Sequence, residues 1–319
     1  MTRVALFGCG WIQNFHARGV LAHRLGELVA VANHREETGR AFAERYGIER
    51  VTTDWEAVAA DPDVDAAIVA TPNALHAPQS IALLRGGKHV LVEKPMAPTL
   101  AECDAMIDAA RDSGAWLMVA HCWRFHEDVV AFRDRVVAGE FGEVVKTRGY
   151  GAHANWGPQG WFVDGALAGG GALVDMGVHA IDTARFVLGD PSPDRVCAVV
   201  GSRYAAGRYS VDDDGILLIT WSNGTNSVVE SGWWQPHVGG READTEVYGT
   251  KGFGRIWPLP EADRSDDSND DLADQPMYSA QVRAFLDAID GRRQPRPSGE
   301  DGRIVMEVVE RAYRSSEEA

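Results

Sequence analysis

Val4-Ala5-Leu6-Phe7-Gly8-Cys9-Gly10-Trp11-Ile12-Gln13 joins an apolar run of strand length to two glycines and then to an amphipathic stretch. In this order Gly8 permits a tight turn and Gly10 lets the backbone approach a ligand. The next residues open a helix whose N-terminus carries partial positive charge. This is the strand–turn–helix context a dinucleotide fingerprint requires, and Trp11 and Ile12 are candidate cofactor contacts with Gly8 and Gly10. Gln13 occupies the third position, where Gly or Ala would give closer packing of helix on strand.

Beyond this unit, short apolar runs alternate with amphipathic ones over the first 120 residues, the pattern of βαβ units and a parallel sheet. The expected strands are 4–7, 28–32, 66–70, 89–92 and 116–120, with helices at 14–25, 36–46, 78–85 and 100–112. The last helix opens with Thr99-Leu100-Ala101-Glu102, a capping box, and stops at Ser113-Gly114. After residue 122 the pattern changes to a helix at 127–138 and a run of strands at 144–150, 195–201, 216–221, 226–231, 245–248 and 253–256, with closing helices at 279–289 and 303–315. Asn223-Gly224 is a hairpin turn, since both residues tolerate positive φ. The fold class expected is α/β. Residues 1–122 form a dinucleotide-binding Rossmann domain, and residues 123–319 form an α+β domain on an open, mainly antiparallel sheet, for substrate binding and oligomerisation.

A chain of 319 residues suits two domains. A formal charge of −16 argues against nucleic acid as a partner, and no window approaches the ~18 apolar residues of a membrane span. Without a signal-peptide pattern the expected location is cytoplasmic. The scattered cysteines Cys9, Cys103, Cys122 and Cys197 read as reduced, buried thiols, and no metal site is expected. The acidic stretch from Glu261 to Asp274 reads as a solvated loop.

The second strand ends at Asn33-His34-Arg35, with no carboxylate to bind a ribose 2′-hydroxyl. Arg35 offers a fork of donors to a 2′-phosphate, which favours NADP, with NAD as the alternative if Asn33 bonds a plain ribose.

Further along come Thr71-Pro72-Asn73 with His76, then Glu93-Lys94-Pro95, then Gly169-Gly170-Gly171-Ala172-Leu173-Val174-Asp175-Met176-Gly177-Val178-His179. Together with Trp123-Arg124-Phe125 and Val247-Tyr248-Gly249-Thr250-Lys251-Gly252 they closely resemble the glucose-fructose oxidoreductase, inositol dehydrogenase and rhizopine-catabolism family, written Gfo/Idh/MocA. The resemblance implies hydride exchange between nicotinamide and a hydroxyl-bearing carbon of a sugar, cyclic polyol or related alcohol. It places the catalytic residues on Lys94, Asp175 and His179. It also puts Thr71, Pro72, Asn73 and His76 beside the cofactor, and Glu93 near the nicotinamide ribose. The residues make chemical sense of this. Asp175 and His179, four apart on an expected helix, project from one face. An imidazole accepts the hydroxyl proton, and a lysine at the carboxyl edge of the sheet stabilises the alkoxide. Asp175 would orient His179 or hydrogen-bond a neighbouring substrate hydroxyl.

Aromatic faces suit sugar C–H faces, so Trp123, Trp156, Trp161 and Trp233 are candidate substrate contacts. His153, Asn155, Gln159, Gln235 and His237 are candidate hydroxyl partners, and Arg124 a carboxylate partner or a structural residue. The family resemblance implies a homodimer or homotetramer through the open sheet face. Two rival readings are a non-catalytic dinucleotide sensor and a redox-neutral, glycosidase-like elimination.

Overall fold

The computed structural model describes residues 1–153, 158–205, 208–235, 242–257 and 274–318. Candidate residues Asn155, Trp156 and His237 lie outside the described residues, as does the acidic stretch up to residue 273. The chain divides into two compact units, Met1–Cys122 with Leu272–Arg303, and Trp123–Asp271 with Ile304–Ala319.

The first unit follows the order β1 (Thr2–Phe7), α1 (Trp11–Leu21), β2 (Gly26–Ala32), α2 (Glu36–Tyr46), β3 (Arg50–Thr52), α3 (Trp55–Ala60), β4 (Ala66–Val69), α4 (His76–Arg85), β5 (His89–Glu93), α5 (Leu100–Ser113) and β6 (Leu117–Ala120). Its strands lie in the order β3-β2-β1-β4-β5-β6, all parallel. Strands β4 and β6 are buried along their whole length, as expected of a sheet covered on both faces. The capping box on α5 forms in both directions, and Gly114 closes that helix in the left-handed region. Unlike the other strands, β3 and the short α3 lack periodicity long enough to be read from sequence.

The second unit begins with α6 (Glu127–Val137) and β7 (Val144–Ala152). A short α7 (Gly165–Ala168) leads through a π-helical turn at Leu173–Gly177 into α8 (Val178–Val187). Strands β8 (Pro193–Gly201), β9 (Asp214–Trp221), β10 (Asn226–Gly232), β11 (Ala243–Gly249) and β12 (Gly252–Arg255) follow. They form a sheet of order β12-β11-β7-β10-β9-β8. It is antiparallel except where β10 runs parallel to β7. Its core, Phe132, Phe141, Phe186, Val187, Val247 and Trp257 among others, joins α6 and α8 to the sheet. Val199, Ile216, Leu218 and Phe253 stand exposed.

The chain then returns to the first unit as α9 (Gln275–Asp290), which the sequence reading had assigned to the second domain. The reason is packing: Gly19 on α1 has no Cβ, and the place of one is filled by Val282 of α9 at 2.9 Å. The last helix, α10 (Gly299–Glu317), gives its first turn to the first unit and the rest to the second. There Ser315 and Ser316 accept the N–H groups of Ala198 and Val200 on β8, which shields the outer edge of the sheet. Among the described residues no helix is long and apolar enough to cross a membrane.

Candidate active site

In the first unit the strand order reverses direction between β1 and β4, the switch point where open α/β sheets bind ligands. Gly8 sits there at φ +89°, and a Cβ on it would lie 2.5 Å from the Ala70 carbonyl oxygen. No other residue fits. Gly10, the N-cap of α1, differs: a Cβ would meet nothing within 4 Å, and no side chain caps the helix. The first N–H groups of α1 therefore face open space, which fits a pyrophosphate. Trp11 beside them is 60% exposed. Gln13 is fully buried, and its amide reaches across to the Ile68 carbonyl at 3.3 Å, so it packs the helix on the sheet instead of loosening it.

At the end of β2 the Asn33 amide donates to the Arg35 carbonyl (2.8 Å) and to Thr38 Oγ1 (2.7 Å). That closes the turn into α2 and leaves His34 and Arg35 exposed at the helix start.

The loop after β4 is tied inward. The Thr71 hydroxyl donates to Gln79 (2.7 Å), and Pro72 and Asn73 start a single 3-10 turn. His76 is 1% exposed, with Nδ1 2.8 Å from the Pro95 carbonyl and Nε2 2.8 Å from that of Thr71. Burial pushes its pKa down, so the neutral ring donates to one carbonyl at a time. His76 thus braces the two loops.

Glu93 is likewise tied inward. One carboxylate oxygen takes a 2.7 Å bond from the fully buried His16 of α1, and the other accepts the Lys94 N–H at 3.1 Å. Burial alone would push this carboxyl up, but the bond and charge of His16 and the charge of Lys94 bring it below the usual range. Lys94 follows, half-buried, joined to Pro95 by a cis peptide.

In the second unit Gly169 closes α7 in the left-handed region, and Gly170 and Gly171 make room for neighbours. A Cβ on Gly170 would meet the Tyr313 hydroxyl at 2.4 Å, and one on Gly171 the Asp212 carbonyl oxygen at 1.8 Å. Asp212 then caps the helical run from the segment that leads into β9: its carboxylate accepts the N–H of Gly171 and of Leu173, both at 2.8 Å, and the Tyr313 hydroxyl at 2.6 Å. Burial raises the Asp212 pKa against these bonds.

Asp175 lies on the π-helical turn and His179 on the first turn of α8, so the pair spans a widened turn, not the regular helix expected. The Asp175 carboxylate accepts the Trp233 indole N–H at 3.0 Å and faces His153 Nε2 at 3.6 Å. The other ring nitrogen of His153 bonds Glu242. Burial opposes a charge on His153, yet the bonds to Asp175 and Glu242 prevail and raise its pKa to about 9. His179, 8% exposed, meets the edge of Trp123, whose ring also packs on His126 and Trp257.

Several substrate candidates have other work. Trp233 is fully buried and serves Asp175. Arg124 is buried, forked onto Asp182 (2.7 and 2.8 Å) and bonded to Asp190 (2.9 Å), so it is structural. The buried Gln235 amide donates to Asp214 at 3.0 Å. Trp161, half-buried on Phe162, and the exposed Gln159 keep open surface. Not all the thiols are buried, since Cys197 is exposed on β8 and Cys9 half-buried, the latter pushed up to about 11 by burial. His16, Asp212, Glu242 and Tyr313 escaped the sequence reading. The run Asp212-Asp213-Asp214 between apolar residues was the visible signal for one of them.

Two domain models match: the oxidoreductase family with an NAD-binding Rossmann fold over residues 2–121, and the GFO/IDH/MocA C-terminal domain over residues 129–254. The chain belongs to the Gfo/Idh/MocA family. It is 33% identical to the 1,5-anhydro-D-fructose reductase of Ensifer adhaerens, over 95% of this chain and 92% of the relative. It is 30% identical to the D-glucoside 3-dehydrogenase of Escherichia coli K12, over 99% and 95%. A crystal structure of levoglucosan dehydrogenase with NADH and levoglucosan superposes with TM-score 0.85 at 26% identity, covering 99% of this chain and 97% of that one.

Proposed function

We propose that this chain is an NAD(P)-dependent dehydrogenase or reductase acting on a hydroxyl-bearing carbon of a sugar, cyclic polyol or related alcohol. The observation that carries the reading is Lys94. The chain holds only four lysines, Lys88, Lys94, Lys146 and Lys251, among 31 basic residues. One of the four stands at the carboxyl end of β5, in the sheet whose switch point carries the uncapped Gly8–Gly10 turn. Arginine holds its proton at all working pH values; a lysine ammonium is a compact charge whose proton can be shared.

The nicotinamide, when bound, takes or gives the hydride. Of the chain's own residues, Lys94 stabilises the alkoxide oxygen, an effect worth ~3 kcal/mol for a well-aimed donor. His179 holds the hydroxyl proton, and Asp175, kept in place by Trp233 and His153, orients His179 or a substrate hydroxyl. Gly8, Gly10, Trp11 and Ile12 cradle the dinucleotide, with Thr71, Pro72 and Asn73 bordering it. Arg35, exposed where a ribose-binding carboxylate is missing, favours NADP over NAD. Trp123 and Trp161 serve the sugar face. The exposed residues Val199, Ile216, Leu218 and Phe253 support a homodimer or homotetramer through the second sheet, and sedimentation would test it.

The test is reduction of NADP+ and of NAD+ against a panel of sugars, inositols and polyols, with Lys94→Ala and Arg35→Ala alongside. Turnover that Lys94→Ala loses, and an NADP preference that Arg35→Ala reduces about tenfold, support the reading. Dinucleotide binding without turnover favours a sensor, and product formation without net cofactor reduction favours elimination.

A further inference from the structure

We propose that His16 is a positioning residue for Lys94, tying the dinucleotide-binding helix to the lysine through Glu93; this rests on the reading that Lys94 takes part in the reaction. The geometry is a relay of two bonds. His16 lies on α1, six residues after the Gly10 N-cap, and is fully buried. Its Nε2 meets one oxygen of Glu93 at 2.7 Å, and the other oxygen accepts the Lys94 backbone N–H at 3.1 Å. The ring is held in place by the edge of Tyr278 from α9, at 5.7 Å between centroids. These two bonds fix the backbone of Lys94 relative to α1.

Electrostatics gives the same arrangement a second role. Glu93 is 6% exposed, and the charges that face it are those of His16 and Lys94, with the neutral His76 also near. Tyr278 and Cys122, both pushed up by burial, are uncharged neighbours. A buried carboxylate with no partner takes up a proton. By bonding Glu93, His16 keeps a negative charge next to the Lys94 ammonium and so holds the lysine in its protonated form.

Two substitutions neutralise Glu93 by different routes. Glu93→Gln removes the charge outright, and His16→Phe removes the partner that keeps it ionised. Both must then lower the Lys94 pKa, while His16→Gln, which retains an N–H donor, restores it. With four lysines in the chain, reductive methylation with 13C-formaldehyde gives few enough signals to titrate Lys94 by NMR without any turnover. Lys94→Ala assigns its signal. Dinucleotide affinity is read from quenching of Trp11 fluorescence.

Expected are a lower Lys94 titration midpoint in Glu93→Gln and His16→Phe, kcat reduced about ten- to hundredfold, dinucleotide affinity within about threefold of wild type, and recovery in His16→Gln. A Lys94 midpoint unchanged in Glu93→Gln overturns the proposal even if His16→Phe fails to fold. So does a His16→Gln variant as impaired as His16→Phe. If Lys94→Ala itself keeps full turnover, the catalytic reading fails instead, and the two failures are told apart.

Discussion

The stability of this protein should fall as pH rises from 6.5 through about 9, and one side chain should account for much of the slope. His153, held between Asp175 and Glu242, has its pKa raised from the ordinary 6.5 to about 9. A folded-state pKa above the unfolded value means the folded protein binds the proton more tightly. The contribution is complete below pH 6.5, declines between 6.5 and 9, and is gone above 9. At about 1.4 kcal/mol per tenfold change in proton affinity the rise corresponds to at most ~3 kcal/mol. Glu242 is 52% exposed at its side chain, so solvent screens its share and ~2 kcal/mol is the expected value. The assay is urea unfolding of the full chain at half-unit steps from pH 6 to 10, wild type against His153→Gln. A site-specific check is the NMR titration of the His153 ring, with its midpoint near 9 in the wild type. The two stability curves should be separated most at pH 6 to 6.5 and converge by pH 10. A separation that is constant over this range, or grows with pH, would refute the argument, because the first requires an unshifted His153 pKa in the folded state and the second a lowered one.

The glycines provide a contrast between folding and binding. Gly171→Ala places a Cβ 1.8 Å from the Asp212 carbonyl and should prevent recovery of folded protein, whereas Gly10→Ala meets nothing within 4 Å and should keep wild-type thermal stability while dinucleotide affinity, read by Trp11 quenching, falls at least tenfold. Arg124→Met strands the buried Asp182 carboxylate and should destabilise by about 3–5 kcal/mol in denaturant unfolding, with much of the loss recovered by adding Asp182→Leu. Where enough Arg124→Met folds to assay, KM should be unchanged, since the guanidinium is enclosed by Asp182 and Asp190. Trp233→Phe removes the indole N–H from Asp175 and should lower kcat about tenfold, in keeping with ~1.5 kcal/mol for a lost hydrogen bond to a charged group; an unchanged kcat would mean that the remaining contacts of the carboxylate, His153 among them, hold it.

What was legible from the residues follows from the range over which each interaction acts. The Thr99–Glu102 box, the Gly114 stop, the hairpin at Asn223-Gly224 and the Gly8 turn each depend on residues a few positions apart, and all form as read. So do five of the six strands of the parallel sheet, all but the three-residue β3, because burial in a covered sheet favours apolar runs. The contacts that could not be read lie where one partner is distant in sequence. Nothing local distinguishes Trp233 in a sugar pocket from Trp233 donating to Asp175, 58 residues away. Arg124 looks equally suited to a substrate carboxylate until Asp182, also 58 residues on, is found filling its fork. Glu93, expected near a ribose, bonds His16, 77 residues earlier. These cases share a physical cause. A buried donor or acceptor must be matched inside the protein, and the match is commonly supplied by another strand or helix, so the side chains with the most chemical appearance are those most often already engaged. The same argument favours the residues left facing open space. Among the described residues, the N-terminus of α1 has no side-chain cap and Arg35 and Trp11 stand exposed, Trp11 resting on Phe15 by one edge contact, and a dinucleotide supplies partners of the right kind for all three.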